Sequence, residues 1–243
     1  MKESPLIALL NDRITTIGKC KMQAADTRPK RAPRRAAGRA TPPRPAALPR
    51  RAEPDARRQS LIEAAMRVLS RAGANGASVR AIAQEAGVSP GLVGHYFTGI
   101  DALIAETYTH VDTMVTQALD AAVAAAPPLP RARLEAFVTA SFTAPIARPA
   151  LLATWIAFWS LVTSQPQIAR QHDEQYAGYR ARLEHLLREA GVAEPELRHA
   201  AIAVTALVDG LWLELCLSPQ CFSSEEAGAI ARGFLGTVCG GVA

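Results

Sequence analysis

From Asp55 onward apolar residues return every three or four positions, and no strict apolar–polar alternation bounded by turn residues interrupts them. Leu61, Ile62, Ala65, Met66, Val68 and Leu69 form the first stripe, which predicts an amphipathic helix from Asp55 to a stop at Gly73. Ser78 is placed to cap a second helix over "VRAIAQEAG", ended by Gly87. Ser89 is placed to cap a third, with Pro90 in its first turn, where a missing N–H costs nothing. A fourth runs from about Asp101 to Ala126 and stops at "PPLP". Pro130, Pro149, Pro166 and Pro195 then stand where new helices would begin, and Ser223 with Glu226 has capping-box spacing. The pattern predicts an all-α chain of about nine helices: three or four short ones, then five longer, without strands or an internal repeat.

Within that pattern, "ASVRAIAQEAGVSPGLVGHYF" (residues 77 to 97) is a short helix, a Gly-Val-Ser turn and a second short helix, preceded by a supporting helix. Ala81, Ile82, Ala86, Val88 and Val93 supply the apolar face that sets the angle between them, and Gly87 suits the left-handed turn position. An all-core hairpin of a helical bundle would use the same apolar positions. Cap, turn glycine and short second helix together favour a DNA-binding helix-turn-helix. The second helix, "PGLVG", carries no charge. A helix seated in the major groove passes close to phosphates, so acidic side chains would be repelled and bulky ones obstructed. Pro90, Gly91 and Leu92 can touch thymine methyls, and His95 and Tyr96 can bond phosphates. No arginine or asparagine there can make a two-point contact to a base, so discrimination is modest per contact or leans on DNA shape.

Charge divides the chain. Residues 1 to 58 hold 15 Lys+Arg against 5 Asp+Glu, the remainder 12 against 17, and no lysine follows Lys30. Residues 23 to 54 are mostly Pro, Arg and Ala, a composition that predicts disorder over residues 1–54. That segment is either passive (Met22 is an alternative start) or a basic arm attracted to phosphates. Cys20, Cys216, Cys221 and Cys239 match neither a disulfide framework nor a zinc pattern and read as reduced thiols. "PLIALL" is too short for a signal sequence, and "ATWIAFWSLV" too short to span a bilayer. A soluble, cytoplasmic chain without membrane partners is expected.

Further along, Trp155, Phe158 and Trp159 stand at i, i+3 and i+4, and "DGLWLEL" adds Trp212 with Asp209 and Glu214 nearby. Such a stripe fills a core, or it makes a box that recognises a quaternary ammonium through ring faces with a carboxylate beside the cation. The last two helices, expected over 196–217 and 224–239, carry Ala200, Ala203, Val204, Leu207, Leu211 and Leu215, then Ala227, Ile230, Ala231, Phe234, Leu235 and Val238. That is more apolar surface than one helix pair needs, which predicts a homodimer through a four-helix bundle, although a monomer core lined around a ligand would also use it.

The segment "RRQSLIEAAMRVLSRAGANGASVRAIAQEAGVSPGLVGHYFTGIDALI" resembles the tetracycline-repressor (TetR) family of bacterial transcriptional regulators. The resemblance implies an all-helical homodimer with a DNA-binding domain, here 55–115, and an effector-binding and dimerisation domain, here 116–243. It places Ser89, Pro90, Gly91, Leu92, Gly94, His95 and Tyr96 on the DNA-facing helix and Phe97 on its anchor. Ser78 completes the candidate DNA-binding set. The family's usual lysine at the start of the fourth helix, a phosphate clamp, is replaced here by Ile100, so Ile100→Lys is expected to tighten operator binding. "ATWIAFWSLVTSQPQIARQHDEQYAGYRARLEHLL" with "ALVDGLWLELCLSP" is similar to the C-terminal domain of choline-responsive, BetI-like repressors. That similarity implies an effector site at Trp155, Phe158, Trp159, Asp209 and Trp212 for choline, betaine aldehyde or a related cation. An unrelated hydrophobic or aromatic effector on the same fold is the alternative. Release of a double-stranded operator on binding the small molecule is the family's habit.

An enzyme would need signals that the sequence lacks: a phosphate loop, a metal-spaced ligand set, or a nucleophile beside a base. The five histidines are scattered; His95 belongs to the DNA helix, and His110, His172, His185 and His199 are expected on solvated faces. No cofactor is implied. A helical adaptor protein is the other competing class, and operator binding separates it from a regulator.

Overall fold

The computed structural model describes residues 54–240, so the reading of the basic tail lies outside the described residues except for Pro54. Among the described residues there are nine helices and no strand: α1 (Pro54–Gly76), α2 (Val79–Ala86), α3 (Pro90–Tyr96), α4 (Ile100–Ala125), α5 (Pro130–Ala140), α6 (Pro149–Val162), α7 (Pro166–Glu189), α8 (Glu194–Leu217) and α9 (Ser224–Gly240).

The punctuation follows local chemistry. Gly73 has φ 65° and ψ −173°, which breaks the helical geometry of α1 before a last short turn to Gly76. Pro130, Pro149 and Pro166 are first residues of their helices and Pro195 the second of α8, positions where proline's fixed φ helps and no N–H is missed. Ser223 and Glu226 bond reciprocally at 2.9 and 3.2 Å, a complete capping box for α9. One expected cap is corrected. Ser89 occupies the N-cap position of α3, but its side chain makes no capping hydrogen bond; Pro90 alone starts that helix.

Two apolar cores share helices. The first gathers Leu61, Ile62, Ala65 and Val68 of α1, Ile82 of α2, Val93 of α3, Phe97 at the end of α3, and Leu103 of α4. The second begins at Leu69 and Ile104, the very next residues on α1 and α4, and runs through α5–α9. Each fully buried Leu, Ile, Val or Phe is worth about 1.5–3 kcal/mol, so both helices are anchored at each end. Across the seam, the Thr154 hydroxyl of α6 donates to the Met66 carbonyl of α1 at 3.5 Å. Arg58 pairs with Glu106 of α4 while its guanidinium lies 5.1 Å over the Phe97 ring. Arg67 and Arg71 both pair with Glu85 of α2, at 2.8 and 2.9 Å; their hydrogen bonds hold that carboxyl below its usual range.

Helix α8 is long and apolar enough, by length and mean hydropathy, to cross a bilayer. In the fold it packs against α6, α7 and α9. The apolar faces of α8 and α9 divide in two. Val204, Leu211, Ala227, Ala231 and Leu235, read from sequence as surplus for a partner, are buried inside the chain. Exposed instead are Ala203, Ala206, Gly210, Leu213 and Leu217 at three-to-four spacing on α8, and Ile230 and Gly233 on α9.

Candidate nucleic-acid interface and effector cavity

The helix-turn-helix is set by its turn. Gly87 adopts φ 69°, ψ 30°, its N–H donating to Gln84 O at 3.2 Å while Val88 N–H donates to Ala83 O at 2.9 Å; only glycine takes this left-handed position cheaply. The Ser78 hydroxyl oxygen accepts from Ala81 N–H at 3.1 Å, so its role in the structure is a cap for α2 on an exposed edge. Val93 and Phe97 turn inward and hold α3 to α1 and α2. The rest of α3 faces out. Ser89, Pro90, Gly91, Gly94 and His95 are exposed, Leu92 and Tyr96 half-buried, and the His95 and Tyr96 rings meet edge-on at 5.1 Å.

The glycines are informative because nothing among the described residues requires them. Neither has a positive φ, and a Cβ at Gly91 or Gly94 would meet no atom within 4 Å. Glycine inside a helix costs about 1 kcal/mol relative to alanine. Two such residues on one exposed face of a seven-residue helix leave room for a surface outside the molecule. Arg80, missed in the sequence reading, lies exposed in the first turn of α2 next to Ser78. Ile100 packs half-buried against both cores, which explains why an apolar residue is tolerated at the start of α4.

The second site is a cavity of about 50 Å³ walled by α4, α6, α7 and α8. Trp155 and Trp212 form two of its walls, ring centroids 6.2 Å apart, and Trp212 is fixed by an indole N–H donating to Ser141 O at 2.8 Å. The Tyr176 hydroxyl donates to Asp209 Oδ1 at 3.2 Å. Burial pushes the Asp209 carboxyl up to about 6, against the opposing pulls of that hydrogen bond and of Arg180. Burial also raises Asp112, on the facing wall, and pushes the Tyr176 and Tyr179 hydroxyls far above their ordinary value, with Asp209 adding to both. Among the described residues, no Arg, Lys or His lines this cavity. Three buried polar atoms on its wall, the Trp155 indole nitrogen, Gln175 Oε1 and the Tyr179 hydroxyl, have no hydrogen-bond partner among the described residues, a state seldom left unfilled in native proteins.

Three of the five expected effector residues, Trp155, Asp209 and Trp212, line the cavity, and two do not. Phe158 is fully buried behind it, 4.8 Å from the Tyr108 ring and 5.9 Å from Trp155, so it is core. Trp159 is half-buried outside the lining and hydrogen-bonds the Tyr176 hydroxyl. Positions i, i+3 and i+4 fan over about 100° of a helix, wide enough for three rings to meet three different neighbours. Sequence reasoning missed Asp112, Gln175, Tyr176 and Tyr179, which lie in helices with many polar neighbours. His172 is a further correction: it is half-buried, with Nδ1 3.2 Å from the Tyr108 hydroxyl and its ring 4.1 Å from Tyr176, and burial lowers its basicity. His110 likewise lies within 3.3 Å of Gln59 Nε2, whereas His185 and His199 are exposed.

Comparison with known proteins matches both regions. Residues 61–107 match the model of bacterial regulatory proteins of the tetR family, and residues 130–240 that of the BetI-type transcriptional repressor C-terminal domain. The HTH-type transcriptional regulator BetI of Paraburkholderia phytofirmans is 34% identical over 193 residues, 79% of this chain and 97% of its own. A solved structure from Pseudomonas aeruginosa PAO1, described as a transcriptional regulator, is 44% identical with a TM-score of 0.71, covering 79% of this chain and 94% of that one. A regulator from Saccharomonospora viridis, solved in complex with choline, shares the fold at 19% identity and a TM-score of 0.68, over 74% and 96% of the two chains. With a helix-turn-helix whose outer face is left bare and a cavity under the adjoining helices, the chain belongs to the TetR family of DNA-binding transcriptional regulators, with a BetI-type C-terminal domain.

Proposed function

We propose that this regulator holds its operator as a homodimer and releases it when an organic cation of the quaternary-ammonium class enters the cavity. The cavity's charge carries this reading. Asp209 is buried among aromatic walls with a neutral tyrosine as its hydrogen-bonding neighbour and, among the described residues, no cationic side chain in the lining. A cation seated there gains both the carboxylate and the ring faces, an arrangement worth about 2 kcal/mol or more per cation–π contact once desolvated. A neutral aromatic effector would leave that carboxylate without a counter-charge inside the cavity, with Arg180 acting on it only from outside the lining. The choline bound to a fold neighbour makes choline the first cation to test. Calorimetry of the purified chain with choline and betaine aldehyde is expected to show binding at or below millimolar concentration. Silence with both removes the proposal.

The DNA-reading residues would be Ser89, Pro90, Gly91, Leu92, Gly94, His95 and Tyr96 on α3, with Ser78 and Arg80 at the start of α2 reaching phosphate. Residues 55–115 then act as the reading head and 116–243 as the effector and dimerisation domain, working in the cytoplasm where the operator is. Dimerisation is supported by the exposed stripe on α8, with Leu217 at 67% exposure, beside Ile230 on α9. Two copies packing these faces would set two heads about 34–36 Å apart, one turn of DNA.

Two helices link cavity and head. α4 carries Leu103 in the first core and Asp112, Val115 and Leu119 on the cavity wall. α6 places Trp155 on the wall while its neighbour Thr154 bonds α1. A ligand that prefers a displaced wall therefore shifts both supports of the head, and the two-state coupling follows from that preference.

A further inference from the structure

A second chamber, of about 250 Å³, adjoins the cavity and shares Asp112, Gln175 and Tyr179 with it. Its own walls add Phe137 and Arg182, the only cation in its lining among the described residues. Gln175, Tyr179 and Arg182 are at i, i+4 and i+7, one face of α7, so the shared helix runs directly from the acidic chamber to the basic one. From Tyr176, which holds Asp209, to Arg182 the helix rises about 9 Å, and an arginine side chain can reach back over part of that span. Arg182 is positioned by an ion pair with Asp120 of α4 and by Phe137, whose ring lies 5.5 Å below the guanidinium and 5.2 Å from Tyr179. A guanidinium has five N–H donors, more than one carboxylate partner uses.

We infer that the effector is a zwitterion: an organic cation whose ammonium end is held over Asp209 and whose tethered carboxylate or phosphate reaches Arg182 in the outer chamber. This rests on the cation reading above and narrows it. Beyond the charge gradient, the unpaired buried polar atoms of the walls call for a ligand that carries polar atoms of its own. The unpaired, buried indole N–H of Trp155, on the inner cavity, requires an acceptor, which a ligand hydroxyl such as choline's supplies as well as an anionic oxygen does. The unpaired, buried Oε1 of Gln175 on the shared wall is an acceptor as it stands, and a flip of the amide turns NH₂ donors toward the bridging part of such a ligand. Asp112, also on the shared wall, extends the acidic side and confines the anionic group to the neighbourhood of Arg182.

The test is calorimetry on the full chain with three probes: choline, carnitine as the carboxylate zwitterion, and phosphocholine as the phosphate zwitterion. At least one zwitterion is expected to bind ten-fold or more tighter than choline, and which one distinguishes carboxylate from phosphate. That ratio falls to about one in Arg182→Gln. It grows in Asp120→Asn, where the guanidinium is released to the ligand, and this variant carries the test should Arg182→Gln fail to fold. Choline binding as tightly as both zwitterions, or a ratio unmoved by either substitution, overturns the inference and leaves the cation reading standing. Failure of all three probes overturns the cation reading itself.

Discussion

The face of α3 and the proposed effector cavity are opposite kinds of site. The first is a convex surface formed by one contiguous stretch, held by two buried anchors, Val93 and Phe97, with its recognition positions left open. The second is a concavity assembled from four helices, in which Asp112 and Asp209 come together from positions nearly one hundred residues apart. The exposed face is specified by what is absent, side chains and charge; the cavity is specified by what converges. Substitutions on α3 should therefore alter function without altering stability, whereas those in the cavity should alter both.

The largest expected effect is at the bare face. Gly91→Glu or Gly94→Glu is expected to abolish operator binding, by a hundred-fold or more, because bulk and negative charge are placed against phosphates. Thermal stability should stay level or rise, since the new Cβ meets nothing within 4 Å and glycine is the poorer helix former. Gel shift and thermal melts read the two; a fall in stability that tracks the loss of binding would erase the contrast between the sites.

Next comes Asp209→Asn. Cation affinity should fall by fifty-fold or more, while the unliganded protein gains on the order of 1–2 kcal/mol by losing a buried charge. The pH dependence has a definite sign. Because the folded-state value of Asp209, about 6, is raised above the ordinary 3.8, its contribution to stability is present below about pH 4 and lost as pH rises through 6. Cation binding runs the other way, strengthening as pH rises and levelling above about 6. Both slopes should vanish in the asparagine variant, as melts and calorimetry between pH 4.5 and 8 would reveal.

A smaller effect is expected at the dimer face. Leu213→Glu should shift dimer toward monomer in light scattering and weaken operator binding about ten-fold or more, with secondary structure unchanged, because the side chain lies outside both cores. Smallest are the phosphate contacts. Arg80→Ala should weaken binding by several-fold on any sequence and reduce the salt slope by about one. Ile100→Lys should raise that slope by about one, but the half-buried position means it also costs about 1–2 kcal/mol of stability, a penalty invisible before the two cores were seen to meet there.

Much of the head was legible. Cap, turn glycine, apolar anchors and exposed recognition positions act within about twenty residues, and periodicity reports which side faces in. Ser89 was misjudged only in mechanism, its hydroxyl standing idle where Pro90 suffices. The cavity was half legible. Trp155, Asp209 and Trp212 stood out as aromatic or acidic residues in apolar surroundings, whereas Phe158 and Trp159 share the same spacing and meet other neighbours. Tyr176 and His172 had no signal at all, since α7 is polar along most of its length and only packing decides which of its faces is enclosed.

Local order was encoded directly in the chain: where helices start and stop, which faces are apolar, and that one short helix carries nothing to obstruct a partner. These depend on interactions within a few residues, where spacing and side-chain type suffice. Convergence was decided only by the tertiary structure. It brought a carboxylate from α8 under a tyrosine from α7, placed Arg182 in the adjoining chamber, and turned half of the expected dimer face inward. Helix packing sets those meetings through shape and burial summed over the whole core, and no single stretch of sequence holds that information.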